Sequence, residues 1–319
     1  MSFKSDAQVG SAASRAEPTA PHARHGERQG KVLPLRARIL LLLSPALLVI
    51  VVLFLGGFAF GVLQSFGLFS LVGTGSFSLD AYTSMVGNKA IQSSIPLTLR
   101  VAVLSTVISA VLAVASALLI RSTRRGKKFL TFVFQLNIPV PHIVGAAAMV
   151  LLLQQSGFFS RIAYAVGWVH SPADFVPLVS DSFGIGIIAE YVWKEVPFIG
   201  VVVLAALQSG LADYEEVAQT LGASRGYRFR RVVLPFLVPG VLSTSIIVFA
   251  FAFGSYEIPY LLGRPFPATL PVVALQSYND SDLTSRPEAM AISVVITVFV
   301  SLLVLAYMRV SDRYFGRGE

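Results

Sequence analysis

The sequence predicts an all-α membrane protein built as a bundle of six transmembrane helices. Six predominantly apolar runs recur along the 319 residues, each close to the roughly 20 residues that cross a hydrocarbon core of about 30 Å. Hydrophobic residues make up 55% of the chain and charged ones 13%, a balance too apolar for a water-soluble protein of this length. The runs are continuous and do not alternate in short segments, which excludes a transmembrane β-barrel.

In chain order, residues 1–38 come first. Their opening stretch to Gly30 is rich in Ala, Ser, Arg and His without apolar periodicity, and a disordered cytoplasmic tail is expected there. A transmembrane domain follows over 39–310, with spans at Ile39–Val62, Val101–Ile120, Phe129–Leu153, Phe183–Leu207, Phe236–Tyr256 and Ala289–Tyr307; 311–319 form a second tail. The first run is far longer than the roughly 7 to 15 apolar residues of a signal peptide, so an uncleaved helix is expected. Gln135, Asn137, Pro139, Pro141 and His142 interrupt the third run. Two prolines free backbone carbonyls there and permit a kink where neighbours re-satisfy those groups.

Only the fourth run carries formal charges, Glu190, Lys194 and Glu195. Ionisable groups inside a membrane are costly, on the order of 2.5 to 3.5 kcal/mol on insertion scales, so each is a functional candidate. Glu190 stands four residues before Lys194, the favourable order for an intrahelical pair. Two readings stay open: a structural pair facing the bundle interior, or Glu190, Tyr191 and Lys194 set along a path for a polar solute.

Of the 25 Lys and Arg residues, 19 fall before the first run, between the second and third, between the fourth and fifth, and after the sixth. The positive-inside rule makes these four segments, and with them both termini, cytoplasmic. The net charge of +8 is thereby explained by topology and gives no reason to expect a nucleic-acid partner. Cysteine is absent, and His142 has no second ligand at suitable spacing, so neither a metal nor a cofactor is expected. No G-x-x-x-x-G-K-[ST] motif occurs. Gly222 to Gly226 (GASRG) matches the G-x-S-x-G nucleophile pattern, but it lies in a charged loop without the strand before it that a nucleophile elbow requires. Catalysis by this chain alone is not expected.

The most specific segment is Asp213 to Pro235, DYEEVAQTLGASRGYRFRRVVLP, a charged hairpin between two apolar runs. Tyr214, Val217, Ala218 and Leu221 repeat at the spacing of one helix face, with Glu215, Glu216, Gln219 and Thr220 opposite. Asp213 and Glu216 suit an acidic capping box, Gly222 a left-handed helix stop, Ser224 the cap of a second helix, and Pro235 the first turn of the next span. An amphipathic helix outside the bilayer needs an apolar partner, and nothing else in the chain offers a soluble domain.

This segment resembles the EAA loop of permease subunits of binding-protein-dependent ABC importers, whose pattern is E-A-A, three residues, G, nine residues, I-x-L-P. Glu216, Val217 and Ala218, then Gly222, then Val232 with Leu234 and Pro235 keep that spacing, with Val217 and Val232 as apolar replacements. Weaker likenesses to the same family lie in Ser78–Arg100, in Tyr191, Trp193, Pro197 and Phe198, and in Gly254–Gly263, so the resemblance covers about 39–310. The spermidine/putrescine-type branch is the most similar. The resemblance implies a type I permease bundle in a bacterial inner membrane that forms the path for a small polar solute. It also implies two copies of a cytoplasmic ATP-binding subunit, a second permease subunit, the same or different, and an extracytoplasmic solute-binding protein. Tyr214, Glu216, Val217, Ala218, Leu221 and Gly222 would dock and turn, and Leu234 with Pro235 would pass the displacement into the fifth span. An ion-coupled secondary transporter or channel is the competing class.

Overall fold

A computed structural model describes residues 34–69 and 75–315, and the rest of the expected tails lies outside these residues. The chain divides into two compact units, Met1–Phe54 and Leu55–Glu319. In the first, α1 (Leu35–Val49) begins after Pro34 and runs into a π-helical stretch, Ile50–Leu55. Its apolar residues are exposed on every side, as befits a helix solvated by lipid.

The described residues of the second unit form helices joined by loops, with no strand among them. It begins with α2 (Gly56–Ser65), α3 (Asp80–Gly87) and the 34-residue α4 (Lys89–Ser122), started by the Asn88 side chain, which accepts from the Ala90 N–H at 2.9 Å. Next come α5 (Lys127–Gln135), α6 (His142–Leu153), α7 (Phe158–Ala165) and α8 (Ile185–Gln208). The hairpin supplies α9 (Leu211–Thr220) and α10 (Arg225–Arg228), followed by α11 (Leu234–Gly254), α12 (Glu257–Leu262), α13 (Leu270–Tyr278) and α14 (Arg286–Phe315).

The most extensive packing is α4 on α8, with α11 against both. A seam of small buried residues on α4, Ser105, Ser109, Ala113 and Ala117 at every fourth position, lets the two backbones approach closely. Ala113, Ala117, Ile199, Val203, Leu207, Leu211, Val233 and Leu237 form one buried cluster; Val101, Ile187, Tyr191, Ile258, Leu262 and Ile292 belong to another. Gly200 of α8 sits under the ring of Phe134, where a Cβ would overlap the ring atoms. Gly200→Val is therefore expected to lower the unfolding temperature in detergent, by roughly the 1–3 kcal/mol of an overpacked site. Gly240→Ala, whose Cβ would meet nothing nearer than Val202 Cγ1 at 3.4 Å, should leave it unchanged.

Among the described residues, five helices are long and apolar enough to cross a membrane, or six if α8 and α9, bent by 56°, count as one span. The expected third span is a broken one. The chain leaves the helix after Gln135 and re-enters at His142, because Pro139 and Pro141 remove two backbone donors within three residues. The first helix starts at Leu35, earlier than expected from hydropathy, and α4 and α14 extend well beyond the apolar runs that announced them.

Candidate functional site

Two places concentrate polar chemistry on this scaffold. The first is the hairpin. After α8 the chain turns at Gly210 (φ +78°), and Leu211, fully buried, anchors α9 beside Leu207, Val233 and Leu237. That anchor explains a difference from the expected capping box. The helix begins two residues before Asp213, which therefore lies in the first turn, where its charge complements the helix dipole. At the other end Gly222 is left-handed (φ +81°), and the Ala223 N–H reaches back to the Ala218 carbonyl at 3.0 Å, closing the helix as its sequence required. Ser224 caps α10 by accepting from the Tyr227 N–H.

Pro235 lies in the first turn of α11, as expected, but no break separates that helix from α10. α10 continues through a π-helical turn, Phe229–Val233, into α11, so Arg225–Gly254 forms one 30-residue helix with Pro235 inside it. Leu234 and Pro235 thus lie partway along a lever that starts at the turn. Tyr214, Val217 and Leu221 are 64%, 60% and 82% exposed, and Glu216 is exposed beside them, while Ala218 is half-buried. Glu215 is ion-paired with Arg121 at the end of α4, and Arg228 donates to the Gln219 side chain at 2.6 Å. A groove of about 610 Å³ opens between Arg121, Glu215, Glu216, Gln219 and Arg228.

The second place is the break between α5 and α6. The expected Glu190–Lys194 pair does not form. Lys194 Nζ instead donates to the backbone carbonyls of Asn137 at 2.8 Å, Val140 at 2.6 Å and Ile138 at 3.4 Å in the unwound segment, of which Asn137 also accepts the Val140 N–H at 3.1 Å. This cluster of carbonyls outcompetes a single carboxylate on the same helix, because the break would otherwise leave the Ile138 and Val140 acceptors orphaned in an apolar interior. Glu190 is fully buried, and neither of its carboxylate oxygens has a hydrogen-bond partner among the described residues. It lies against the first turn of α6, where a Cβ on Gly145 would stand 2.9 Å from Oε1. Glu195 Oε1 is 3.3 Å from His142 Nε2, on the first residue of the same helix. Carboxylates thus face the positive end of α6 and the ammonium faces freed carbonyls, each with the favourable sign. Tyr191, also fully buried, packs edge-on against Phe251. Tyr191, Glu190 and Lys194 are therefore inside the bundle, and none lines an open channel in this conformation.

Residues 109–317, more than half of the chain, match the family described as binding-protein-dependent transport system inner membrane component. The chain belongs to this family. It is a membrane-spanning permease subunit of an ABC importer, and membership sets aside the ion-coupled transporter and channel readings. Among relatives, the molybdenum transport system permease protein of Mycobacterium tuberculosis is 28% identical over 230 residues, covering 70% of this chain and 81% of that one. The putrescine transport system permease protein of Escherichia coli is 25% identical over 224 residues, covering 70% and 73%. A solved bacterial ABC transporter that imports the acidic polysaccharide alginate has the same fold, with a TM-score of 0.73 at 20% identity over 88% of this permease and 97% of that chain. Hairpin spacing was the readable signal for the family. The Arg121–Glu215 pair and the three-carbonyl seat of Lys194 had no sequence signal, since their partners lie 94 and up to 57 residues away.

Proposed function

We propose that the permease couples to two copies of a cytoplasmic ATP-binding subunit through the hairpin, and that it moves a small cationic solute, polyamine-like in type. The observation that carries the coupling is the exposed apolar face of Tyr214, Val217 and Leu221 on a helix anchored at Leu211 and offset by 56° from α8. Lipid does not suit this face, because its helix also carries Asp213, Glu215 and Glu216 and lies beside Arg225, Arg228, Arg230 and Arg231. A protein groove of mixed character does. With the hairpin on the ATPase side, both termini lie in the cytoplasm, which the distribution of Lys and Arg supports. A second permease copy or a different subunit completes the path around the 39–310 domain. An extracytoplasmic binding protein delivers the solute, a role supported by the solved alginate transporter in complex with its pentasaccharide-bound periplasmic protein.

Charge favours the cation. Glu190 and Glu195 stand on α8 against the broken span, where an opening of the bundle would present two carboxyl groups to a passing solute, while Lys194 stays committed to backbone carbonyls. The putrescine relative fits that excess of acid, whereas the molybdenum relative points to an oxyanion. The test is to co-express the permease with its neighbouring ATPase and binding-protein genes. Val217→Ser with Leu221→Ser should cut the co-purifying ATPase at least roughly tenfold, as expected when two buried apolar contacts at about 1.5–3 kcal/mol each are lost. Vesicles should accumulate labelled putrescine and not molybdate. Undiminished ATPase in the double variant would defeat the docking assignment, and molybdate uptake would defeat the cationic solute.

A further inference from the structure

From elsewhere in the bundle α4 reaches the hairpin through a side-chain ion pair, and it is held at two points. At one end Arg121, on its last turn, is ion-paired with Glu215 of α9, with side chains 28% and 23% exposed. Toward the other end, Thr98 Oγ1 accepts the Leu270 N–H at 2.8 Å in a fully buried contact, while its own hydroxyl donates to the Ser94 carbonyl. Leu270 begins α13, so this bond satisfies one of the amide donors that a helix start leaves free. Thr98 and Arg121 are 23 residues apart, which is about 35 Å along a helix rising 1.5 Å per residue.

Between those two residues α4 contains neither glycine nor proline, and its Ala113 and Ala117 are buried in one cluster with Ile199 and Val203 of α8. By contrast, the helix that leaves the hairpin covalently carries a π-helical turn, Pro235, Pro239 and Gly240 near its hairpin end, features that kink and soften a helix. The stiff element is therefore the one that the hairpin grips by an ion pair. At the far end α13 lines a cavity of about 300 Å³ with Tyr256, Ala289, Ser293 and Thr297 of neighbouring segments.

We propose that α4 is a coupling rod: the Arg121–Glu215 pair takes up displacement of the docked hairpin, and the Thr98–Leu270 bond delivers it to α13 on the opposite face. The inference rests on the hairpin being the ATPase contact, and it adds a second route beside the covalent one through Pro235. Arg121 and Glu215 are positioning residues here, since neither needs to touch solute. In Arg121→Glu two carboxylates face each other, in Glu215→Arg two guanidiniums do, and the double exchange restores opposite charges.

The test uses the assembled transporter in vesicles and exploits the absence of cysteine by placing a single reporter thiol at Asn279, an exposed residue just after α13. In the parent, labelling of this thiol by a membrane-impermeant reagent should change when ATP and vanadate trap the ATPase. Either single charge reversal is expected to keep the ATPase bound within about twofold, to lower uptake roughly five- to fifty-fold, and to abolish the nucleotide dependence of labelling. The double exchange should recover both. Thr98→Val, which strands the Leu270 N–H while leaving the hairpin untouched, should give the same uncoupling with ATP hydrolysis retained.

Wild-type uptake and labelling in both single reversals would overturn the rod while leaving the hairpin assignment intact. Loss of the ATPase itself from the single reversals would place the pair in docking and equally overturn it. No recovery in the double exchange, or a nucleotide response that survives Thr98→Val, would do the same. Failure of the underlying docking assignment is read separately, from ATPase retention in the Val217→Ser, Leu221→Ser variant.

Discussion

Gly222→Val is expected to leave the permease inserted in the membrane and folded, while loosening the ATPase and lowering uptake at least roughly tenfold, the effect of about 1.4 kcal/mol. The residue stands at φ +81°, and a Cβ built there would meet nothing within 4 Å. The penalty is therefore conformational and not steric. A left-handed residue with a Cβ costs about 1–2 kcal/mol, and a β-branched one more. That strain falls on the turn where the Ala223 N–H closes α9 onto Ala218 and where Ser224 opens the next helix. Because the second helix runs unbroken into α11, a wrong turn misdirects the apolar face of Tyr214, Val217 and Leu221 relative to the span. Gly222→Asn, which tolerates the left-handed region better, should retain most of the uptake. The measurement is ATPase co-purification together with uptake in vesicles. Wild-type values for both in Gly222→Val would remove the turn from the coupling mechanism.

Lys194→Met should be the most damaging single change inside the bundle. It strands the carbonyls of Ile138 and Val140, which lie in the break between α5 and α6 and have Lys194 as their donor. Leaving a buried acceptor without its donor costs about 1–3 kcal/mol for each group, and two such carbonyls together are enough to impair assembly. Glu190→Gln should be tolerated by itself and should not rescue Lys194→Met, because the ammonium is held by backbone and not by that carboxylate. An intrahelical Glu190–Lys194 pair demands the reverse, with the double variant milder than either single one. Yield of monodisperse protein in mild detergent and uptake by the same variants decide between them. Rescue of Lys194→Met by Glu190→Gln would refute the carbonyl seat.

Much of this permease is legible in its sequence. Apolar run length announces the spans, and the stop at Gly222, the cap at Ser224 and the face of Tyr214, Val217 and Leu221 are local features that periodicity and turn chemistry encode. The kink in the third span is also readable from Pro139 and Pro141. Its conversion into two separate helices is not, since a proline-containing run can bend or break depending on whether a neighbour will accept the freed carbonyls.

The sequence by itself determined an all-helical membrane bundle, the position of the hairpin and its kinship with ABC importer permeases. Each of these follows from spacing within a few turns, where geometry is set by the 3.6-residue period. Only the tertiary structure decided where the charges go. Lys194 had a partner of opposite charge four residues away and took three carbonyls from the break between α5 and α6; Glu215, one of four polar residues on the same face of its helix, was the one that met Arg121. Such choices depend on which groups folding strips of water together. In an apolar interior the arrangement that leaves the fewest unsatisfied polar atoms prevails over the nearest opposite charge.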